Sequence, residues 1–311
     1  MRILAVAALL LVPACGATGD RAVKLAATEF NADTAMSYVR TQLAFGPRVP
    51  GSSASRKTSD WIVAHLKAKA DTVLEQNWEQ PQTTRMGGRA IPMRNILARF
   101  RPGAAEHVLY ITHWDTRPVA DMETDAAKQQ EPIPGANDGA SGVALLLAVA
   151  DLLKKTPPGT GVDLLFVDGE DWGVWGPPDV DVLFGSSYFA AHLATFPSPG
   201  YKPLYGVLWD MIGDEDLEIM QERHSVESAP EVVQRVWEVA RRFGYESSFS
   251  QRTTGNITDD HVPLINAGLR VIDVIDLAFE CHHKLCDTID KVSAKSLKIV
   301  GDVAVSLVQA P

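Results

Sequence analysis

The sequence predicts a single three-layer α/β domain: a mixed, mostly parallel sheet with helices on both faces. Four short apolar runs, Val108–Thr112, Val162–Val167, Gly206–Trp209 and Val271–Ile275, show no apolar/polar alternation. That is the pattern of strands buried on both faces. Helical periodicities lie between and after these runs, the order that produces parallel pairing. No repeat, low-complexity block or linker divides the chain after its N-terminal stretch, so the 311 residues hold one large domain.

Taken in chain order, Met1-Arg2 followed by the apolar run Ile3–Val12 and by Pro13-Ala14-Cys15-Gly16 reads as a secretory signal over residues 1–15. The run is too short to span a bilayer. Val12-Pro13-Ala14-Cys15 resembles a bacterial lipobox, whose cysteine becomes the lipidated first residue; the alternative is plain secretion with Cys15 incidental. Residues 16–29 read as a tether and 30–311 as the folded domain. An exported protein of the periplasm or cell envelope follows, touching a membrane only through a lipid on Cys15. Asp33 can cap a helix through Met36, Val39 and Leu43 that stops at Gly46-Pro47. Ser55–Lys69 reads as a second helix with Trp61, Ile62 and Leu66 on one side, and Gly139–Lys155 as a strongly apolar third. Ser228 and Pro230 open another, with Val233, Val236, Ala240 and Phe243 on one face and Gly244 closing it. Ser293–Val308 is the last.

Composition narrows the function classes. The 39 acidic residues outnumber the 29 basic ones and leave a net charge of −10. A nucleic-acid footprint needs clustered Lys/Arg, which is absent from the sequence. Three cysteines cannot build a disulfide framework; in an oxidising compartment Cys281 and Cys286 can pair, or they can stay reduced.

In open α/β sheets ligands sit beyond the carboxyl ends of the strands, and there the acidic and histidine residues collect. His113 and Asp115 follow the first apolar run, and Asp168, Glu170 and Asp171 the second. Asp210 follows the third, and after the fourth come Asp276, His282 and His283. Asn137-Asp138-Gly139 opens the apolar helix. One such residue is ordinary turn chemistry; four strand ends presenting carboxylate or imidazole to one rim are not. Oxygen and nitrogen ligands without thiolates suit Zn²⁺ in a catalytic site with an open position.

The blocks His113-x-Asp115, Asn137-Asp138-Gly139-Ala140-Ser141-Gly142, Glu170-Asp171-Trp172-Gly173, Asp210-Met211-Ile212-Gly213 and His283-x-x-x-Asp287-Thr288 occur in the order that resembles the M28 zinc aminopeptidase family, over about Phe30 to Val308. Within it, Trp175-Gly-Pro-Pro-Asp179, Phe184-Gly185-Ser186 leading into a helix, and Ile257-Thr258-Asp259-Asp260-His261-Val262-Pro263 resemble glutaminyl cyclases more than peptidases. Asn95-Ile96 matches an Asn-Ile pair that the resemblance places before the first strand.

The resemblance implies that Asp138, Asp171 and His283 hold one zinc, with Asp171 standing where most relatives carry Glu and His282 as the rival imidazole. Glu170 is then the general base and acid, and Asp259 with Asp210 forms an acidic relay that orients the substrate amine. Asp260 is structural. Trp175, Ile257 and His282 line the substrate pocket, and relatives carry Trp where His282 stands. Asp115 orients His113 from behind. His107, His192 and His224 read as surface groups, and Trp61 and Trp237 as core. Two chemistries fit. A cyclase with one zinc converts the N-terminal Gln of peptides or proteins with a free N-terminus to pyroglutamate and releases ammonia. An aminopeptidase with two zinc ions sharing Asp138 completes its second site with His113 and Asp210. A silent binding module is a third reading, against which every ligand position carries a competent residue.

Overall fold

The computed structural model describes residues 25–309; the signal segment with Cys15, and residues 16–24 of the tether, lie outside the described residues. Among the described residues a six-stranded sheet runs in the order β1 (Thr72–Gln80), β2 (Ile91–Phe100), β4 (Gly161–Val167), β3 (His107–His113), β5 (Tyr205–Asp210), β8 (Val271–Ile275). The expected core strands are β3, β4, β5 and β8. They pair in parallel, and every one of their residues is buried. Alternate side chains enter opposite faces. Val108 and Tyr110 join the larger core under the helices α1 (Ala32–Phe45), α3 (Ala140–Lys155), α6 (Pro230–Phe243) and α8 (Ala294–Gln309). Leu109 and Ile111 join the smaller core under α4 (Phe184–Ala191) and α7 (His261–Asn266). Both faces are apolar, so the sequence shows runs instead of alternation.

The antiparallel hairpin β1 (Thr72–Gln80) and β2 (Ile91–Phe100) extends the β4 edge and makes the sheet mixed. β1 is an edge strand carrying Glu75, Gln76, Asn77 and Glu79, only partly buried, so its composition hides it. Asn95 belongs inside β2, not before the first strand. There its side chain donates to Gln76 Oε1 (3.0 Å) and the Gly185 carbonyl (2.9 Å) and accepts from Asp168 N (3.2 Å). It thereby ties the hairpin to the end of β4 and to α4.

The helix starts also differ from expectation. Asn31, not Asp33, caps α1, accepting from Thr34 N at 2.9 Å, which leaves Asp33 in the first turn beside the helix dipole. The second helix, α2, spans Ser53–Lys67 because Ser52 caps it through Ser55 N. Gly244 closes α6 in the left-handed region, as expected. Between β5 and β8 lie the small parallel pair β6 (Ile219–Gln221) and β7 (Phe249–Thr253) and the short α5 (Arg223–Ser228). The described end of the tether, residues 25–29, rests on the domain: Leu25 N donates to Arg242 O, and Thr28 N and Oγ1 both donate to Asp302. His107 is not a surface group; it is buried against Asp163, 2.9 Å away.

Candidate active site

The parallel strands bring their carboxyl ends to one rim. The loops there enclose a cavity of about 340 Å³ lined by Asp138, Glu170, Asp210, Asp259, His282 and His283, with Trp175, Ile257, Met122 and Leu277 among its walls.

Asp138 sits at the centre, immediately before α3. Gly139 after it takes φ +88°, and a β-carbon there would lie 2.7 Å from the Asp115 carbonyl, so only glycine permits this turn. The loop is held from both sides. Asp287 accepts from Asn137 N (2.8 Å) and Asp138 N (3.1 Å). The buried Arg48 donates to the carbonyls of Pro134 and Gly135, each at 2.6 Å. Burial, with the charge of Asp138 nearby, pushes Asp287 up to about 8.

Two donor groups share Asp138. On one side His113 Nε2 lies 3.2 Å from Asp138 Oδ1 and 3.1 Å from Asp210 Oδ1. Asp115 stands 3.4 Å from His113 Nδ1 and also accepts from Glu170 N and Asp171 N, so one carboxylate orients the imidazole and the β4 loop together. Burial disfavours a charged His113, but Asp210, Asp115 and Asp138 raise it well above its usual range. On the other side His283 Nε2 lies 3.3 Å from Asp171 Oδ1 and 4.0 Å from Asp138 Oδ2. His282 reaches the same place: one ligand atom each from Asp138, His282 and His283 fall within 4.8 Å of one another, as do those of His113, Asp138 and Asp210. Geometry therefore admits both neighbouring imidazoles.

Asp171 is more engaged than the sequence implied. Its Oδ1 accepts from Arg117 Nη1 (2.8 Å) and Trp175 Nε1 (3.2 Å). Burial alone would raise it, yet His283 and Arg117 hold it well below the carboxylate range. Arg117 also clamps Asp121, which stands 3.5 Å from His283 Nδ1. The sequence reading missed Arg48, Arg117 and Asp121. Arg117 continues the spacing His113-x-Asp115-x-Arg117, a signal that was there to be used; Arg48 has none.

A zinc ion fits this donor set. Among the described residues Asp138 Oδ2 and Asp171 Oδ2 are buried without a hydrogen-bond partner. The ligand atoms that converge, however, are those of Asp138, His282 and His283, and Asp171 falls outside that group although it lies 3.3 Å from His283 Nε2. A buried, unpartnered carboxylate oxygen costs about 1–3 kcal/mol or more, and a cation removes that cost. All the donors are carboxylate or imidazole, the types zinc takes in catalytic sites. Two residues at the rim, His283 (φ +54°) and Met211 (φ +45°), hold left-handed backbone, a strain that tertiary contacts must support.

Glu170 lines the cavity beside these donors and belongs to neither donor group. Burial, with Asp171 next to it, pushes it well above the usual range. Asp259 is raised by burial and by Asp210 and Asp260, and its Oδ2 is unpartnered. Asp260 is buried one residue away, and burial pushes it up to about 7.

A rim of carboxylates and imidazoles around a pocket on this sheet is the donor set of a metal-dependent enzyme. The chain belongs to peptidase family M28, whose model matches residues 95–308. It is similar to a glutaminyl cyclase of Bacteroides thetaiotaomicron solved with N-acetylhistamine (32% identity, TM-score 0.85, 92% of this chain and 100% of that one). A Zn-dependent exopeptidase of Parabacteroides distasonis is as close (32%, TM-score 0.84, 92% and 100%). The glutaminyl-peptide cyclotransferase of Bos taurus is 26% identical over 308 residues, 83% of this chain and 77% of that one.

Proposed function

We propose that the protein is a zinc-dependent glutaminyl-peptide cyclotransferase, which closes the N-terminal Gln of peptides or proteins to pyroglutamate and releases ammonia. The observation that carries the reading is the trio Glu170, Asp259 and Asp210 lining one small cavity beside the metal donors. An intramolecular cyclisation needs the substrate amine to be held and deprotonated at the carbon it attacks. Three carboxylates supply acceptors for that amine.

Asp138, His283 and either Asp171 or His282 would hold one zinc. Bound there, zinc supplies a Lewis acid that polarises the γ-carboxamide carbonyl. Asp259 and Asp210 accept hydrogen bonds from the α-amine and fix its direction. Glu170 takes a proton from the amine nitrogen and returns it to the nitrogen that departs as ammonia. Burial, with Asp171 beside it, shifts Glu170 upward and so favours the protonated form from which it returns the proton. Trp175 and Ile257 wall the cavity and limit water, and the nucleophile, being part of the substrate, gains from proximity. Export, with substrates met outside the cytoplasm, belongs to the same proposal; the Cys281–Cys286 disulfide favours an oxidising compartment.

A second reading, a dizinc aminopeptidase, is favoured by one observation: His113, Asp138 and Asp210 converge within 3.2 Å contacts. Purified protein assayed on Gln-initiated dipeptides and on aminoacyl chromogenic substrates separates the two. Ammonia release without chain cleavage, at one zinc per chain, supports the cyclase. Released amino acid with two zinc ions per chain supports the peptidase and overturns the first reading.

A further inference from the structure

We propose that the Cys281–Cys286 disulfide is a positioning device for the metal-binding imidazoles, so that its reduction loosens the grip of the site on zinc; this rests on the zinc reading above. The bond joins residues five apart, and both His282 and His283 lie inside the ring it closes. The loop from Asp276 to Thr288 contains no helix or strand. Besides the disulfide, isolated turn bonds hold the ring, with Lys284 N donating to the Cys281 carbonyl (3.0 Å), Met122 N to the His283 carbonyl (3.4 Å) and Leu285 N to Glu123 Oε1 (3.0 Å).

Each end of the ring is fixed to a different part of the site. Cys281 is buried in an apolar cluster with Met211, Ile275 and Phe279, against which Ile257 packs, so it abuts three residues of the cavity wall. Asp287, next to Cys286, is the buried carboxylate that holds the backbone of Asn137 and Asp138. The disulfide thus couples the segment bearing the imidazoles to the loop bearing the shared aspartate. Within the ring His283 keeps φ +54°, a conformation that a residue with a β-carbon leaves when its constraints are removed. The contacts of its ring to Asp121 at 3.5 Å and Asp171 at 3.3 Å are long for hydrogen bonds. They are too weak to replace the covalent link.

Cys286 is exposed and Cys281 is buried, which fixes the chemistry. A dithiol attacks the Cys286 sulfur as thiolate, the sulfur–sulfur bond breaks, and Cys281 leaves and takes a proton. The second thiol of the reductant then displaces Cys286, which is protonated, while the dithiol becomes a cyclic disulfide. Two electrons and two protons pass to the protein.

The test uses the zinc-loaded protein and a water-soluble phosphine, which cleaves the bond without adding thiols that would themselves ligate zinc. Zinc loss to an excess of chromogenic chelator is followed with and without reduction, with far-UV circular dichroism in parallel. Displacing the supports of a metal ligand costs about 10–100-fold in affinity, so reduction should speed zinc loss about tenfold or more at unchanged dichroism. Reoxidation should restore retention. The double variant Cys281→Ala/Cys286→Ala, which removes both thiols as stray ligands, should behave as the reduced protein. Zinc loss within twofold in the two redox forms overturns this inference and leaves the zinc reading standing. No zinc bound in either form overturns both. Loss of dichroism together with zinc overturns the positioning role, because the bond would then be holding the fold.

Discussion

Replacing Glu170 by glutamine keeps the shape of the side chain and removes its ability to take a proton. Glu170 is buried at the cavity wall, and it stands outside both groups of metal donors. Zinc content should therefore stay at the wild-type value. Loss of a general base costs about 10²- to 10⁴-fold, or about 3–5 kcal/mol of transition-state stabilisation at 1.36 kcal/mol per decade. Burial and Asp171 already disfavour a charge at Glu170, so a neutral amide should leave stability equal to or above wild type. The assay is ammonia release from a Gln-initiated dipeptide, with zinc measured on the same preparation and unfolding followed in urea. Turnover within threefold of wild type would remove Glu170 from the reaction. Zinc lost together with activity would make it a ligand instead.

Four further outcomes are expected. His113→Ala should leave one zinc per chain in the cyclase reading, and a fall from two to one would favour the peptidase. Arg117→Met strands the buried Asp171 carboxylate, both partners being 1% exposed; breaking such a pair costs about 3–5 kcal/mol, read as a lower urea midpoint. Trp175→Ala should raise KM more than it lowers kcat, measured on Gln dipeptides, because a pocket wall and the bond to Asp171 Oδ1 are lost together. Glu222, which does not line the cavity, offers a pH test. Burial opposes its charge, but His261 and the N–H groups of His224 and Ser225 lower it to about 2 from 4.5. A carboxylate shifted down stabilises the fold above its unfolded value and loses that contribution as pH falls. Urea midpoints of the wild type should thus drop between about pH 4.5 and 2, and Glu222→Gln should flatten that drop; parallel profiles would refute the assignment.

The sequence by itself determined the four central strands to within a residue at each end, and the rim on which the acidic and histidine residues collect. Complete burial on both faces writes itself as uninterrupted apolar runs, and the residue types that follow such runs are readable without coordinates. The family followed from motif order in the same way, and the match over residues 95–308 bears that out. The edge hairpin was illegible because β1 is only partly buried and carries polar residues. Its partner β2 hides Asn95, whose role is set by contacts with Gln76 and Gly185, the latter 90 residues away.

Tertiary structure alone decided which side chains meet. Spacing preferred His283 over His282, yet the fold brings both to Asp138. It sets Arg117 on Asp171 and Arg48 under the Asp138 loop, and it closes the Cys281–Cys286 bond. The physical reason is common to these cases. Local sequence encodes burial and turn chemistry over a few residues, whereas a ligand set is a coincidence in space of groups far apart in the chain. Only the packing of the strands and loops between them fixes the distances on which coordination depends.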